Sequence, residues 1–429
     1  MEDAVSARPT LRAWLDEYRA IERDYVNAFA DQGVSFAAPD AARARSAELR
    51  EALRRRGARF MNGGSSVSTG FLSSACAACV GDVGSATFYI NLRCPRDCYF
   101  CFNPNQADFE EHCEHDTPWR ADLEALGRSC DAVSHVGLTG GEPLLCPEET
   151  LAFVERARGL YPRAHVRLYT SGMFLDDAFC ASVAKRGLDE IRFSIKLDEG
   201  EESVSDALAA IELASGRGFD VMVEMPVVPG ELARMKRLLV QLDGLGVKGI
   251  NVLEFCYPMR DWAEFERRGF QVKNPPFDVL YDYGYAGGLP IAGSEEACLE
   301  LVLFALDEGL SLGVHYCSLD NKNRDQVLQA NRAVALDRSL YELGPDSFYR
   351  IAKVFDGDVP AVKALFGRLS VPCVPDEEGR ALCFHPARAA EAAATGAVVA
   401  LSKNVVEHEG GEAYVRELKL VVWDGGADA

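Results

Sequence analysis

Positive charge is what this chain is short of. It carries 45 Lys and Arg against 66 Asp and Glu, a formal net charge of −21 over 429 residues. Nucleic acid and anionic membrane would both be repelled outside any local basic patch, so neither is an expected partner. No apolar run is long enough to span a bilayer. The start, MEDAVSARPTLRAWLDEYRA, lacks the basic head and apolar stretch of a signal peptide, and the expected location is cytoplasmic. No internal repeat is visible beyond an alternation of strand and helix. What remains is 48% hydrophobic and 26% charged, the balance of a globular protein with a sizeable core.

In a reducing compartment the fourteen cysteines are not a disulfide framework. Cys113, Cys130, Cys146, Cys180 and Cys298 each stand alone and read as inert thiols. The others cluster. CPRDCYFC, residues 94–101, sets Cys94, Cys98 and Cys101 at C-x3-C-x2-C. They could close a disulfide, bind zinc, hold an iron–sulfur cluster or lie buried. A disulfide leaves one thiol over. Zinc usually takes four ligands, and no fourth Cys or His lies in this loop. A cluster held by three cysteines keeps one iron open for another ligand.

Residues 9–31 and 40–59 read as helices, with Pro9 and Pro39 near their starts. NGGSSVSTG, 62–70, reads as a flexible loop and a boundary. Strands are then expected at 85–92, 134–140, 165–171, 190–197, 220–228 and 249–257. Helices fall between them, within 118–130 and at 147–160, 176–187, 204–218 and 231–246. A helix at 294–309 precedes a seventh candidate strand, 311–317. This alternation implies right-handed parallel crossovers. The expected fold is α/β, a partial (β/α)6-type parallel barrel whose strand C-terminal ends carry the chemistry. Helices are expected at 324–338, 346–356 and 359–367, then a hairpin over 371–386 around Asp-Glu-Glu-Gly and a last strand pair. The division is an N-terminal helical segment (1–70), the barrel (71–318) and a small α+β appendage (319–429).

TGGEPLL, 139–145, closes the second of these strands. Alone, Gly-Gly before a helix is a common turn. Beside CPRDCYFC, at the end of the neighbouring strand, it resembles the radical S-adenosylmethionine (radical SAM) superfamily. The resemblance implies that Cys94, Cys98 and Cys101 hold a [4Fe-4S] cluster whose open iron is chelated by the methionine end of S-adenosylmethionine. It implies that Gly140, Gly141 and Glu142 receive the amino group and that Phe100 contacts adenine, chiefly through its backbone. Thr170, Ser171, Ser194, Lys196 and Glu224, at later strand ends, would touch ribose and carboxylate; the bland reading of each is polar termination of a strand. Ser194 and Lys196 alternate with Ile195 and so face one side. The implied reaction is one-electron cleavage of the sulfonium to a 5'-deoxyadenosyl radical that abstracts hydrogen from a C–H bond. An electron donor such as flavodoxin or ferredoxin is the implied partner.

SSACAACVGD, 73–82, adds Cys76-x2-Cys79 just before the first strand of the barrel. A redox-active pair would sit in a thioredoxin-like unit, and none is visible, which leaves metal binding as the favoured reading. Cys317 ends the seventh strand, and Cys373 and Cys383 lie on the two arms of the C-terminal hairpin. The first-choice quartet is Cys76, Cys79, Cys317 and Cys383, with Cys373 as the rival, for a second [4Fe-4S] cluster or a mononuclear iron or zinc. Cys256 and Tyr257 end the sixth strand; they would return a hydrogen atom to a substrate radical, or simply be packed. Stretches 168–196 and 314–332 further resemble a branch related to pyruvate formate-lyase activating enzyme. The expected substrate is a peptide or protein side chain. The alternatives are a small molecule of cofactor or metabolite synthesis, or a non-enzymatic metal-cluster protein.

Overall fold

The computed structural model describes residues 5–79, 84–130, 132–284, 288–376 and 379–425. Up to residue 317 it contains eleven strands among the described residues. They are β1 (Arg59–Met61), β2 (Ser66–Thr69), β3 (Ser85–Tyr89), β4 (His135–Thr139), β5 (His165–Thr170), β6 (Glu190–Phe193), β7 (Asp220–Val227), β8 (Gly249–Glu254), β9 (Cys256–Tyr257), β10 (Leu289–Pro290) and β11 (Gly313–Cys317). One nine-stranded sheet runs β1-β2-β11-β8-β7-β6-β5-β4-β3. Every neighbour pair from β3 to β8, and β8 with β11, is parallel. The expected parallel strand–helix alternation is therefore present, with the seventh strand in place.

Alternation within the strands sorts two faces. Leu138, Leu168, Ile191, Val223, Ile250 and Val314 are fully buried in the core that the crossover helices cover. The helix Pro147–Leu160 meets it through Phe153, Val154 and Ala157, adjacent on one helical face. The opposite face carries Arg167, Arg192, Glu224, Asn251 and His315. The sheet is hydrogen-bonded only as far as its edges β1 and β3, but it curls. The loop after β3 meets the loop after β8, where Phe100 and Phe255 lie 5.6 Å apart and the Asn105 amide donates to the Pro258 carbonyl at 2.6 Å. The polar face is thus concave.

Residues 62–70 are not the flexible loop expected. Gly63 and Gly64 turn the chain at positive φ, and β2 then pairs antiparallel with β11, Ser66 opposite Cys317. Reading 62–70 as a loop overlooks this hairpin because Ser, Val and Thr carry a strand signal too short to stand out beside the glycines.

The last strands are β12 (Glu342–Leu343), β13 (Tyr349–Phe355), β14 (Cys373–Pro375), β15 (Ala381–Phe384), β16 (Ala400–Glu409) and β17 (Glu412–Val422). They form a second sheet, β14-β15-β13-β16-β17, with β12 on β13. The helix expected at 346–356 is β13 instead. It is buried on both faces, so its apolar residues run without the strand alternation. The expected hairpin is β14–β15, although Glu377 and Glu378 of its Asp-Glu-Glu-Gly turn fall outside the described residues. One face of this sheet packs on the helix Val359–Leu369, with Phe366 against Phe384 at 4.9 Å. The other face receives the N-terminal helix Pro9–Ala30 through fully buried Leu11 and through Trp14, 5.3 Å from Phe355. The N-terminal helix thus packs on the C-terminal sheet, which the division at residue 70 did not foresee.

Candidate functional site

A cavity of about 260 Å³ opens at the C-terminal ends of the parallel strands. Cys94, Cys98 and Cys101 line one wall. All three are free thiols. Burial pushes Cys98 up to about 11, against the opposing pull of Lys196, and burial raises Cys94 as well. Binding a metal in place of these protons would release them. Among the described residues no three His, Cys, Asp or Glu side chains stand as ligands round a single ion. A cube of four irons spreads its thiolates wider than one ion does. Three unbridged thiols along one wall, with no fourth ligand in the loop, fit such a cluster better than zinc.

The facing wall is the turn after β4. Gly140 has φ of +124°, and a Cβ there would meet the Asn91 carbonyl at 2.6 Å; at Gly141 it would meet the Arg93 carbonyl at 1.9 Å. Only glycine permits this approach. In return, Gly141 N–H donates to Asn91 O at 3.2 Å and Glu142 N–H to Arg93 O at 2.7 Å. Asn103, in the FNPNQ that follows the third cysteine, donates from its amide to the Gly140 carbonyl at 2.8 Å. The cysteine loop and the glycine turn are one hydrogen-bonded unit.

Glu142 is placed otherwise than as a ligand for an amine. Its Oε1 accepts from Leu144 N–H at 3.0 Å and the Thr170 hydroxyl at 2.7 Å. Its Oε2 accepts from Ser171 N–H at 2.7 Å and the Ser171 hydroxyl at 2.5 Å. Four donors occupy the four lone-pair directions of a carboxylate. Glu142 buckles the end of β4 to the end of β5, and Thr170 and Ser171 spend their hydroxyls on it rather than on a ligand. What this leaves facing the cavity is the backbone of the turn.

Ser194 and Lys196 line the cavity, and Ile195 between them is buried in the core, in the expected alternation. The Lys196 ammonium lies 4.7 Å from the centre of the Phe100 ring. Phe100 also lines the cavity. Cys256 is on the cavity wall, whereas Tyr257 points into an aromatic cluster, 4.9 Å from Trp262 and 5.2 Å from Phe265. Tyr257 therefore does not share the position of Cys256.

The floor is a buried polar network of which the sequence reading named only Glu224. Arg192 donates to Glu190 at 2.5 Å, to Glu224 at 2.7 Å and to the Tyr169 hydroxyl at 3.3 Å. Glu224 also accepts from Asn251 at 2.6 Å. Burial pushes the Glu224 carboxyl up, but Arg192 and Asn251 outweigh it and the net shift is downward. The signal was legible: Arg192 keeps phase with Ser194 and Lys196 along one strand. Of the auxiliary candidates, Cys76 and Cys317 adjoin this floor. Cys373 and Cys383 do not. They lie on opposite faces of the second sheet, Cys373 against the Val359–Leu369 helix and Cys383 beside Lys353 and Glu417. The quartet with Cys383, and its rival with Cys373, are not assembled, because both cysteines belong to the second sheet whereas Cys317 ends a strand of the parallel one.

Residues 88–239 match the family model described as the radical SAM superfamily. Over 270 residues the chain is 26% identical to a putative glycyl-radical enzyme activating enzyme of Methanocaldococcus jannaschii, covering 61% of this chain and 67% of that protein. It is 26% identical over 214 residues to a PqqA peptide cyclase of Gluconobacter oxydans, 44% of this chain and 58% of the cyclase's length. Among solved structures, Streptococcus suis SuiB bound to precursor peptide SuiA matches with a TM-score of 0.35 at 13% identity, covering 52% of this chain and 48% of that one. Methylornithine synthase matches with a TM-score of 0.34 at 14% identity, covering 60% and 73%. Both structural likenesses are loose, and nothing below rests on them.

Proposed function

We propose that this chain, an enzyme of the radical SAM class through its domain at residues 88–239, acts on a C–H bond of a peptide or protein side chain. The family implies a [4Fe-4S] cluster and S-adenosylmethionine. When bound, they supply one-electron cleavage of the sulfonium and a 5'-deoxyadenosyl radical able to take hydrogen from carbon. Cys94, Cys98 and Cys101 would hold the cluster. The cavity-lining backbone of Gly140 to Glu142 would receive the amino group of S-adenosylmethionine, while the Glu142 side chain keeps that backbone in place. Lys196 and Ser194 would meet its carboxylate and ribose. Phe100 and Phe255 close the cavity's apolar side and exclude water. A one-electron donor such as flavodoxin or ferredoxin would be needed.

The observation that carries this reading is convergence. Three thiols, the glycine turn, Ser194 and Lys196 come from separate strand ends and line one cavity. A peptide substrate is supported by the cavity's surroundings. Leu145, Met173 and Phe174 directly follow the turns after β4 and β5 and are 39%, 49% and 45% exposed. Exposed apolar side chains next to the turns that line the cavity suit a macromolecular partner. The peptide-cyclase relative agrees with this choice.

The test is anaerobic reconstitution with iron and sulfide, then incubation with S-adenosylmethionine and dithionite. Formation of 5'-deoxyadenosine is expected, and Cys98→Ala is expected to abolish it. Equal product from that variant would overturn the reading. Candidate peptides are then compared with small molecules by deuterium transfer into 5'-deoxyadenosine; label arriving only from a small molecule would replace the peptide substrate with the alternative.

A further inference from the structure

We propose that Cys76, Cys79 and Cys317 hold a second iron–sulfur cluster inside the curled sheet, with its one cysteine-free iron turned to the cavity floor. The site is argued from its own residues and does not depend on how the mouth of the cavity is read.

The short helix Ser74–Ala78 lies against the concave face. Its N-cap, Ser73, donates to Glu190 at 2.6 Å and accepts from Arg192 at 3.1 Å. That anchor fixes where the following thiols go. Cys76 and Cys79 are three residues apart through a helical turn and so share a side. Cys317 reaches the same place from the sheet. It keeps phase with His315, whose ring bonds to Asn251 at 3.0 Å, so it belongs to the concave face. Asn251 in turn donates to the Cys76 sulfur at 3.1 Å.

Donors already surround two of the sulfurs: Arg192 at 3.3 Å and Asn251 at 3.1 Å on Cys76, and Asn321 at 3.2 Å on Cys317. The same donors would hold and tune the thiolates of a cluster.

The kind of metal follows from ligand count. Three thiols are one short of the four ligands a structural zinc usually takes, whereas an iron–sulfur cluster held by three cysteines keeps one iron open. Asn251 donates both to the Cys76 sulfur and to Glu224, and Lys322 directly follows Asn321, which donates to the Cys317 sulfur. Glu224 and Lys322 also line the cavity floor. The open iron would face them and take an oxygen or nitrogen atom of the substrate.

The experiment is iron and sulfide analysis with Mössbauer spectra on anaerobically reconstituted full-length protein. Three variants stand beside it: Cys94, Cys98 and Cys101 all to Ala; Cys76, Cys79 and Cys317 all to Ala; and Cys373 and Cys383 both to Ala. Roughly eight irons per chain are expected for the unaltered protein and the last variant, and roughly four for each of the other two. No iron in the first variant, or one zinc in its place, overturns the proposal. So does full iron in the second. Loss confined to the first variant's four irons speaks only to the cavity mouth, so the two readings fail separately. If the second variant does not fold, Cys79→Ser alone is measured. At least a twofold loss of the second cluster's signal is expected with an unchanged circular dichroism spectrum, and an unchanged signal would overturn the proposal.

Discussion

At the scale of the residue, Glu142 shows how one carboxylate can be a structural part of a functional turn. Its four donors are backbone and hydroxyl groups of β4's turn and β5's end. Glu142→Gln would set an amide NH2 against donors that need an acceptor. A loss of about 2–3 kcal/mol is expected, the range for buried bonds to a charged group, read as a lower urea midpoint. Gln with unchanged stability would show that the carboxylate is not the buckle. Gly141→Ala tests the neighbouring contact. Its new Cβ would overlap the Arg93 carbonyl, and overpacking of this kind costs about 1–3 kcal/mol. It would also part the glycine turn from the cysteine loop, so calorimetry should show at least tenfold weaker S-adenosylmethionine binding.

At the scale of the element, the helix Leu319–Arg332 couples the two sheets. Ser318 caps it, donating to the Ser65 carbonyl at 2.7 Å beside β2, and Asn331 at its far end holds Ser347 O at 2.7 Å and Val406 N–H at 2.8 Å near β13 and β16. Asp320 sits in its first turn. Burial pushes its carboxyl up to about 7, against the pull of Lys273; Asp278 and Glu254 add to the rise. A raised carboxylate means the folded state holds a proton that the unfolded chain has released. The stability this gives is full below the ordinary carboxylate value, falls as pH rises toward 7, and is gone above it. The swing is about 4 kcal/mol for a shift of this size. Asp320→Asn should flatten the stability profile between pH 4 and 7 and make the protein more stable than the parent at pH 8. A parent profile already flat in that window would remove the effect.

At the scale of the whole molecule, the helix Pro9–Ala30 packs on the C-terminal sheet. Arg8 pairs with Asp358 at 2.9 Å, Thr10 N–H donates to Asp356 at 3.0 Å, and Leu11 is fully buried on the second sheet. Further along the same N-terminal stretch, Phe29, Val34 and Phe36 join the aromatic cluster that holds Tyr99 and Phe100 of the cysteine loop. The N-terminal segment therefore bridges the second sheet and the site. Leu11→Ala should cost about 2–5 kcal/mol, and proteolysis should then cut the C-terminal sheet before the parallel one. Simultaneous cutting of both would mean the bridge is not local to that sheet. No helix among the described residues is long and apolar enough to cross a membrane.

The parallel strand–helix order and the two motifs were legible in the sequence because each rests on local pattern. Buried parallel strands are short apolar runs, their helices have one apolar face, and three thiols in eight residues need no partner to be noticed. The buried strand β13 was misread because a strand buried on both faces loses its period. The hairpin β1–β2 was missed because its partner, β11, lies more than two hundred residues away. Pairings at such distance decided the rest. The sequence allowed several cysteine quartets, and only the strand pairings separated Cys317, on the concave side beside Cys76, from Cys373 and Cys383 on another sheet. It suggested that Glu142 greets a ligand, and only the meeting of β4 and β5 showed its lone pairs already taken. Local propensity and side-chain chemistry belong to the sequence itself; which face a residue presents, and to whom, is decided by how distant strands pair and curl.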